Sequence, residues 1–357
     1  MSHETAIRAT ITGVPSSIPS QPTTRLVGHE GPVKVVRFSS CGKYCITGGH
    51  DRTVRLWNPA RIDPVGSAIA RNEIHSSSSS DTSLGNIPPA LPIQVYADGH
   101  THGIADVCID DTSTTVLSAS DKTLVVTDVI SRKLKRRFQG HTGRINTVTC
   151  ASSGNLFLSG SYDGTVRIWD GKSGNSNPIQ TLTDALDSVS CVKVVQDAND
   201  TTTEIITTSI DGCVRVYDVR KGLLHVHDLG KDVALTCISQ TSDNMCNAVS
   251  CLNGAVYVME HTGCLLNTNF GGHTAGRYSL ECCITADDQY IACGSENGAA
   301  VLYDFESGKV VQTLRGHSRA TCSIACHPDR MYSSVVITAS YDGNAIVWTN
   351  GTNNYLK

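Results

Sequence analysis

Short apolar runs such as Ile145–Cys150, Leu156–Ser159 and Val166–Trp169 alternate with polar turns along most of the chain. Runs this short, bounded by Gly, Asp, Asn and Ser, predict β-strands rather than helices. A longer period lies on top of this one. Seven times a short strand closes about six residues after an Asp or Asn turn: Asp51 to Trp57, Asp121 to Thr127-Asp128, Asp163 to Trp169-Asp170, Asp211 to Tyr217-Asp218, Asn253 to Met259, Asn297 to Tyr303-Asp304 and Asp342 to Trp348. Successive closing positions are 70, 42, 48, 42, 44 and 45 residues apart. Gly-His lies upstream of five of them, at Gly28-His29, Gly99-His100, Gly140-His141, Gly272-His273 and Gly316-His317. A repeat of this length is one supersecondary unit that buries its apolar faces only by stacking on its neighbours.

A Gly-His opening and a Trp-Asp close at this period resemble the WD-repeat family, in which each repeat supplies the four strands of one propeller blade. The resemblance implies an all-β, seven-bladed β-propeller. Residues 23–350 span about 328 positions, and without the roughly 28 of one insertion about 43 remain for each of seven units. The ring is expected to close through the N-terminal strand, with the segment around Thr23–Val27 pairing with Ala345–Thr349, because closure removes exposed sheet edges. The organisation that follows is a tail over 1–22, the propeller over 23–350 with a Ser- and Pro-containing insertion at 61–92, and a tail over 351–357.

The same resemblance assigns the repeated polar residues. In a WD blade the Trp N–H of the third strand meets a Ser or Thr, which meets the His, which meets the turn Asp. Carried over residue by residue, this gives the tetrads His29/Thr47/Asp51/Trp57, His141/Ser159/Asp163/Trp169 and His317/Thr338/Asp342/Trp348, which use all three tryptophans of the chain. Such a network locks strand to turn only when it is complete, since a buried donor left unpaired is costly. Blade two has Thr127 in place of Trp, blade five has Asn253, Met259 and no Gly-His, and blade six has Asn297 and Tyr303. These blades depend on packing against their neighbours in the ring.

Composition excludes several classes. A formal net charge of -4 gives no broad electrostatic footprint for nucleic acid. No apolar run approaches the ~20 residues of a membrane span, and Met1–Val14 lacks the regions of a signal peptide. A soluble protein of the cytoplasm and nucleus is expected, with no membrane partner. The 15 cysteines are odd in number and lack the paired Cys-x-x-Cys spacing of structural zinc sites. Cys45, Cys108, Cys150, Cys191, Cys237, Cys282 and Cys322 fall in apolar strand patterns and read as free thiols acting as small core hydrophobes. Without secretion the sequons at Asn199 and Asn350 carry no glycan.

Candidate chemistry is weak. Ser, His and Asp occur together, but three times over and in blade-locking positions, whereas a nucleophilic triad needs one exposed Ser beside an oxyanion hole. Gly171-Lys172-Ser173 lacks the glycine that a phosphate loop requires five positions earlier. His225 and His227 alternate on one strand face and could meet a metal with Asp228, although solvated histidines on an edge strand are the simpler reading. The basic run Arg132–Arg137 precedes Gly140-His141 and so falls on an outer strand, where charge blunts edge pairing. No catalytic residue, metal or cofactor is expected.

Insertions sort by face. The inter-blade connections at Gly-His and the turns at Asp open on one face, here called the top, and the other turns open on the bottom. The insertions at 61–92, Gly171–Pro178 and Gln196–Thr203 all belong to the bottom, and the Ser76–Ser80 stretch has too few apolar residues to fold alone. Top turns are short and carry Arg144, Tyr162, Arg277, Tyr278, Glu296, Arg319 and Tyr341. Arg and Tyr dominate interface hot spots, so Arg144, Tyr162, Arg277, Tyr278, Arg319 and Tyr341 are the candidate partner-binding residues. Arg277, Tyr278, Arg319 and Tyr341 are expected to form one patch at the top rim.

Over roughly residues 25–350 the chain resembles the mitogen-activated protein kinase organizer branch of the WD-repeat proteins. Four stretches carry this: Val36-Arg37-Phe38 with Cys41–Thr47 and Leu56-Trp57-Asn58-Pro59; Gln180-Thr181-Leu182 with Asp187–Val194; Asp211-Gly212 with Tyr217-Asp218-Val219-Arg220; and Tyr278–Cys283. The resemblance implies a monomeric, non-catalytic scaffold whose partners are kinase-cascade components or splicing factors, without direct sequence-specific nucleic acid binding. The alternative is a substrate receptor of a cullin-RING ubiquitin ligase. Ile205–Arg220 resembles the box by which some WD proteins join such ligases, and Arg220 is its diagnostic residue.

Overall fold

The architecture was analysed in a computed structural model that describes residues 18–62, 87–151, 156–173, 175–196, 203–268 and 270–351. Among the described residues seven antiparallel blades form, each of four strands taken in chain order, except that blade one passes over a short segment at Pro89–Ala90 and the last blade borrows from the N-terminus. Blade one comprises Val33–Phe38, Cys45–Gly49, Val54–Trp57 and Gln94–Tyr96, and blade three, the most regular, Ile145–Cys150, Leu156–Ser161, Val166–Asp170 and Gln180–Leu182. In every blade the first strand is innermost and packs against the first strands of the adjoining blades. In blades one, three, four, five and seven that strand carries a one-residue bulge near its start. A bulge bends the strand and re-aims its side chains, here at the point where the chain turns from the top face into the central channel.

Closure follows the expected pairing. Gln21–Leu26 runs antiparallel to Ala345–Thr349, with Leu26 opposite Ala345 and Thr24 opposite Val347. The strand thus starts two residues inside the stretch that the sequence alone leaves to the tail. A fifth segment joins this sheet: Pro89–Ala90 pairs in parallel with Arg25–Leu26. Ala90 is fully buried, and Ile87 is buried against Ala300, Leu314 and Trp348 of blades six and seven. This corrects the placement of the 61–92 insertion wholly on the bottom, because its described end runs along the outer edge of blade seven. The physical reason is edge protection, since the closing strand would otherwise present unpaired amides. Residues 63–86, with Ser76–Ser80, and residues 197–202 of the blade-four turn lie outside the described residues.

Strands buried on both faces account for the apolar runs in the sequence. Cys45–Gly49, Val336–Ser340 and Ala345–Thr349 are buried at every position. Trp57, Trp169 and Trp348 are among the largest fully buried side chains. The irregular repeats close complete blades as well: Met259 and Tyr303 fill the Trp position in blades five and six, and Phe270 meets Tyr303 edge-on at 5.7 Å. Among the described residues the one helical element is the turn Arg330–Tyr332.

Candidate functional site

The polar locks set the top face. In blade three, Trp169 Nε1 donates to Ser159 Oγ at 2.9 Å, Ser159 Oγ lies 2.8 Å from His141 Nε2, and His141 Nδ1 lies 2.9 Å from Asp163 Oδ2. The corresponding distances are 2.8, 2.7 and 2.9 Å for Trp57, Thr47, His29 and Asp51. They are 2.8, 2.8 and 2.9 Å for Trp348, Thr338, His317 and Asp342. Indole N–H only donates and an ionised carboxylate only accepts, so the chain has one consistent direction: Nδ1–H of each His donates to Asp, and Nε2 accepts from the hydroxyl. Burial favours neutral His29 and His141, lowering both pKa values. Burial would also raise the Asp51 carboxyl, but its bonds to His29, the Glu30 amide and Thr53 hold it well below the usual range. Each locked Asp also grips top-face backbone, Asp163 taking the Thr142 amide at 2.9 Å and Asp342 the Ser318 amide at 3.1 Å.

The other blades substitute. In blade two, Ala119 pairs with Leu124 where blade three pairs Gly160 with Val166, so the turn is one residue shorter. Asp121 sits in it at φ 49°, and His100, 2.7 Å from Ser118 Oγ through Nε2, has no partner at Nδ1. Burial, helped by the nearby Arg137, drives the His100 pKa down to about 4. In blade six the Tyr303 hydroxyl takes the place of the carboxylate, 2.7 Å from His273 Nδ1. Blade four replaces histidine with arginine: Arg215 donates to Asp211 Oδ2 and Ser209 Oγ, both at 2.7 Å, and Asp211 accepts the Leu186 amide at 2.8 Å.

On the face held this way, aromatic and cationic side chains gather. Tyr278 and Tyr341 have ring centroids 4.9 Å apart, and the Arg144 guanidinium lies 5.9 Å from the Tyr162 ring. Glu296 positions the Arg277-Tyr278 loop by accepting both amides, at 2.5 and 3.0 Å. Arg277 and Arg319 are exposed. Burial, the Cys322 thiol and Tyr278 push the Tyr341 hydroxyl up to about 12, with the Arg144 guanidinium opposing them. Burial and the same Arg144 lower the Lys34 pKa. The charge of Arg144, on blade three, is thus felt by Lys34 of blade one and Tyr341 of blade seven. The sequence places Tyr278 and Tyr341 on the rim beside two arginines; the structure extends that group inward to Arg144 and Lys34. Leu186, 88% exposed on the next top turn beside Tyr162, at 62%, was missed because a lone leucine in the turn at residues 183–188 carries no repeat signal. A shallow cleft of about 230 Å³ lined by Asn297, Arg315, His317 and Ser318 opens beside Arg319.

Below the mouth, the channel holds charges that the repeat pattern hides. Arg37 of blade one donates to Glu281 of blade six at 2.7 and 2.8 Å and to Asp106 of blade two at 2.9 Å. Asp106 also accepts the Val148 amide of blade three at 2.9 Å. Burial opposes the Glu281 charge, but Arg37 and Ser323 hold its pKa below the usual range. The signal was present as charged positions inside apolar innermost strands, such as Lys34 and Arg37 in Val33–Phe38.

Elsewhere, His225 and His227 stack at 6.0 Å, and among the described residues no three potential metal ligands converge. The basic run lies on the outermost strand of blade two, with Lys135 paired to Asp128 at 2.6 Å. Arg220 is exposed on the bottom turn of blade four, its amide held by Asp218 Oδ1 at 2.7 Å. Of the seven strand cysteines, Cys108 and Cys150 are half-buried rather than in the core, because the innermost strands carry them toward the channel.

Comparison with known proteins agrees with the geometry. The sequence profile of the WD domain, G-beta repeat family matches residues 20–58, 91–128, 132–170, 176–218 and 308–349. It leaves out the stretch where Met259 and Tyr303 replace Trp. The chain is 33% identical to human WD repeat domain-containing protein 83 over 88% of each protein. A Dictyostelium discoideum homolog of that protein is 28% identical over 90% of this chain and 96% of its own. The Caenorhabditis elegans DDB1- and CUL4-associated factor 11 homolog is 26% identical over 72% of this chain and 45% of its own length. With a closed seven-bladed ring, three complete His–Asp locks and these matches, the chain belongs to the WD-repeat family, among the relatives of WD repeat domain-containing protein 83.

Proposed function

We propose that this propeller is a non-catalytic scaffold that assembles multiprotein complexes through its top face, serving a mitogen-activated protein kinase cascade, the spliceosome, or both, in the cytoplasm and nucleus. The observation that carries this reading is the joining of Tyr278 and Tyr341 at 4.9 Å beside exposed Arg277 and Arg319, with the charge of Arg144 felt at Tyr341. Adjoining tilted rings give a partner apolar area at low entropic cost, and arginine grips carboxylate or phosphate with two hydrogen bonds. An acidic or phosphorylated segment of a protein suits that surface. Similarity to WD repeat domain-containing protein 83 across most of both chains supports the kinase-organizer assignment over other WD-repeat roles.

The second reading, a substrate receptor of a cullin-RING ligase, is favoured by the exposed position of Arg220 and by similarity to the DDB1- and CUL4-associated factor 11 homolog. One experiment separates the two. Tagged wild type, Arg277→Glu/Arg319→Glu and Arg220→Ala are purified from cells, and bound proteins are identified by mass spectrometry. The double reversal is expected to lose the kinase or splicing partners at an unchanged melting temperature. If it retains the full set while Arg220→Ala loses it, the top-face scaffold is wrong.

A further inference from the structure

Eight of the fifteen cysteines stand on the innermost strands; Cys191, Cys237 and Cys282 adjoin one another across blade boundaries in the core, and two further pairs meet across a boundary while half-buried. Cys283 of blade six meets Cys326 of blade seven: the Cys326 amide donates to Cys283 Sγ at 3.4 Å, and the Cys326 thiol lies 3.9 Å from the Cys283 carbonyl oxygen. Cys108 of blade two and Cys150 of blade three form a similar pair. All four are half-buried, so the channel gives them solvent access that core thiols such as Cys45 and Cys293 lack. The contact places each cysteine against the backbone of the other, and a bond of about 2.05 Å forms once the side chains turn sulfur to sulfur.

The surroundings separate the pairs. The bond from the Cys326 thiol and the charges of Lys193 and Arg37 outweigh burial and hold Cys283 near a pKa of about 7. Cys150 likewise holds Cys108 below the usual thiol range, against burial, but there the Asp106 charge opposes the thiolate. Thiolate fraction and access together decide which cysteine reacts.

We infer that Cys283 and Cys326 form a peroxide-sensitive dithiol that closes to a disulfide between blades six and seven. The Cys283 thiolate attacks one oxygen of hydrogen peroxide; an S–O bond forms, the O–O bond breaks, and the departing hydroxide takes a proton to become water. The Cys326 sulfur then attacks the Cys283 sulfur of the sulfenic acid. The S–S bond forms, the S–O bond breaks, and the hydroxyl leaves with the Cys326 proton as a second water. Two thiols lose two electrons in all, and one peroxide becomes two waters. The bond clamps the two blades that bear Tyr278 and Tyr341.

The test uses the full chain with the exposed Cys41 and Cys264 changed to Ser, which removes the thiols most open to intermolecular linkage. After graded hydrogen peroxide, free thiols are alkylated and non-reduced peptides are mapped by mass spectrometry. The Cys283–Cys326 peptide is expected at lower peroxide than Cys108–Cys150, because Asp106 opposes the Cys108 thiolate. Adding Cys326→Ala should abolish the linkage and leave Cys283 as a sulfenic acid that dimedone labels. Cys283 remaining reduced while other thiols link, Cys283 joined to a different cysteine, or no dimedone label in Cys326→Ala would each overturn the inference. The linkage map does not depend on the variant, so a folding defect in Cys326→Ala leaves the test decisive.

Discussion

Replacing Asp163 with alanine measures what one complete lock contributes. The carboxylate accepts four short hydrogen bonds, from His141 Nδ1 at 2.9 Å, the Thr142 amide at 2.9 Å, the Thr165 amide at 3.0 Å and the Thr165 hydroxyl at 2.6 Å. The Asp163 and His141 side chains are 7% and 0% exposed. Water can reach the exposed Thr142 amide once the carboxylate is gone, whereas buried His141 Nδ1–H keeps only the longer approach of Thr165 Oγ1, at 3.3 Å. A bond to a charged group contributes roughly 1.5–3 kcal/mol and a stranded buried donor costs about 1–3 kcal/mol; after water rescue at the exposed amide, the expected loss is about 2–4 kcal/mol. Asn253 in blade five is the control. Its side chain is exposed and accepts only the Ala255 amide, at 3.0 Å, so Asn253→Ala should cost about 0.5 kcal/mol. Urea titrations followed by tryptophan fluorescence and far-ultraviolet circular dichroism compare the two. Equal losses would refute the division into locked and unlocked blades.

Three further outcomes follow from the same geometry. Arg37→Ala leaves Glu281 and Asp106 without their shared cation and should cost about 3 kcal/mol, the low end for an uncompensated buried charge because the guanidinium is 25% exposed; adding Glu281→Gln should recover part of that loss in the same titration. His100 has its folded pKa at about 4, below the roughly 6.5 of an unfolded chain, so the unfolded state binds the extra proton first and stability should fall as pH drops from about 6.5 to 4. His100→Gln should flatten that slope, and an unchanged slope would count against the unpaired Nδ1. Deleting residues 1–27 removes the closing strand and the partner of Pro89–Ala90; light scattering should detect aggregation, and a monomer with the parental melting temperature would contradict the closure.

By itself the sequence determined the repeat, the fold class and the closing strand. These depend on local pattern: strand periodicity, a turn residue at a constant offset and the recurrence of Gly-His and Trp-Asp are written in contiguous residues and survive even where Met259 or Tyr303 replaces Trp. The members of the three tetrads were legible for the same reason, since each tetrad lies within one stretch of chain. Tertiary structure decided whatever joins distant blades. Arg37, Asp106 and Glu281 come from three repeats and meet only because a ring turns every first strand toward one axis. Pro89–Ala90 looks like loop in the sequence and becomes a strand because the closing edge needs a partner. The influence of the Arg144 charge on Tyr341, and the approach of Cys326 to Cys283, arise across blade boundaries as well. Periodicity records what each repeat needs in order to fold, whereas a channel or a face is shaped by the curvature of the whole ring, which no single repeat encodes.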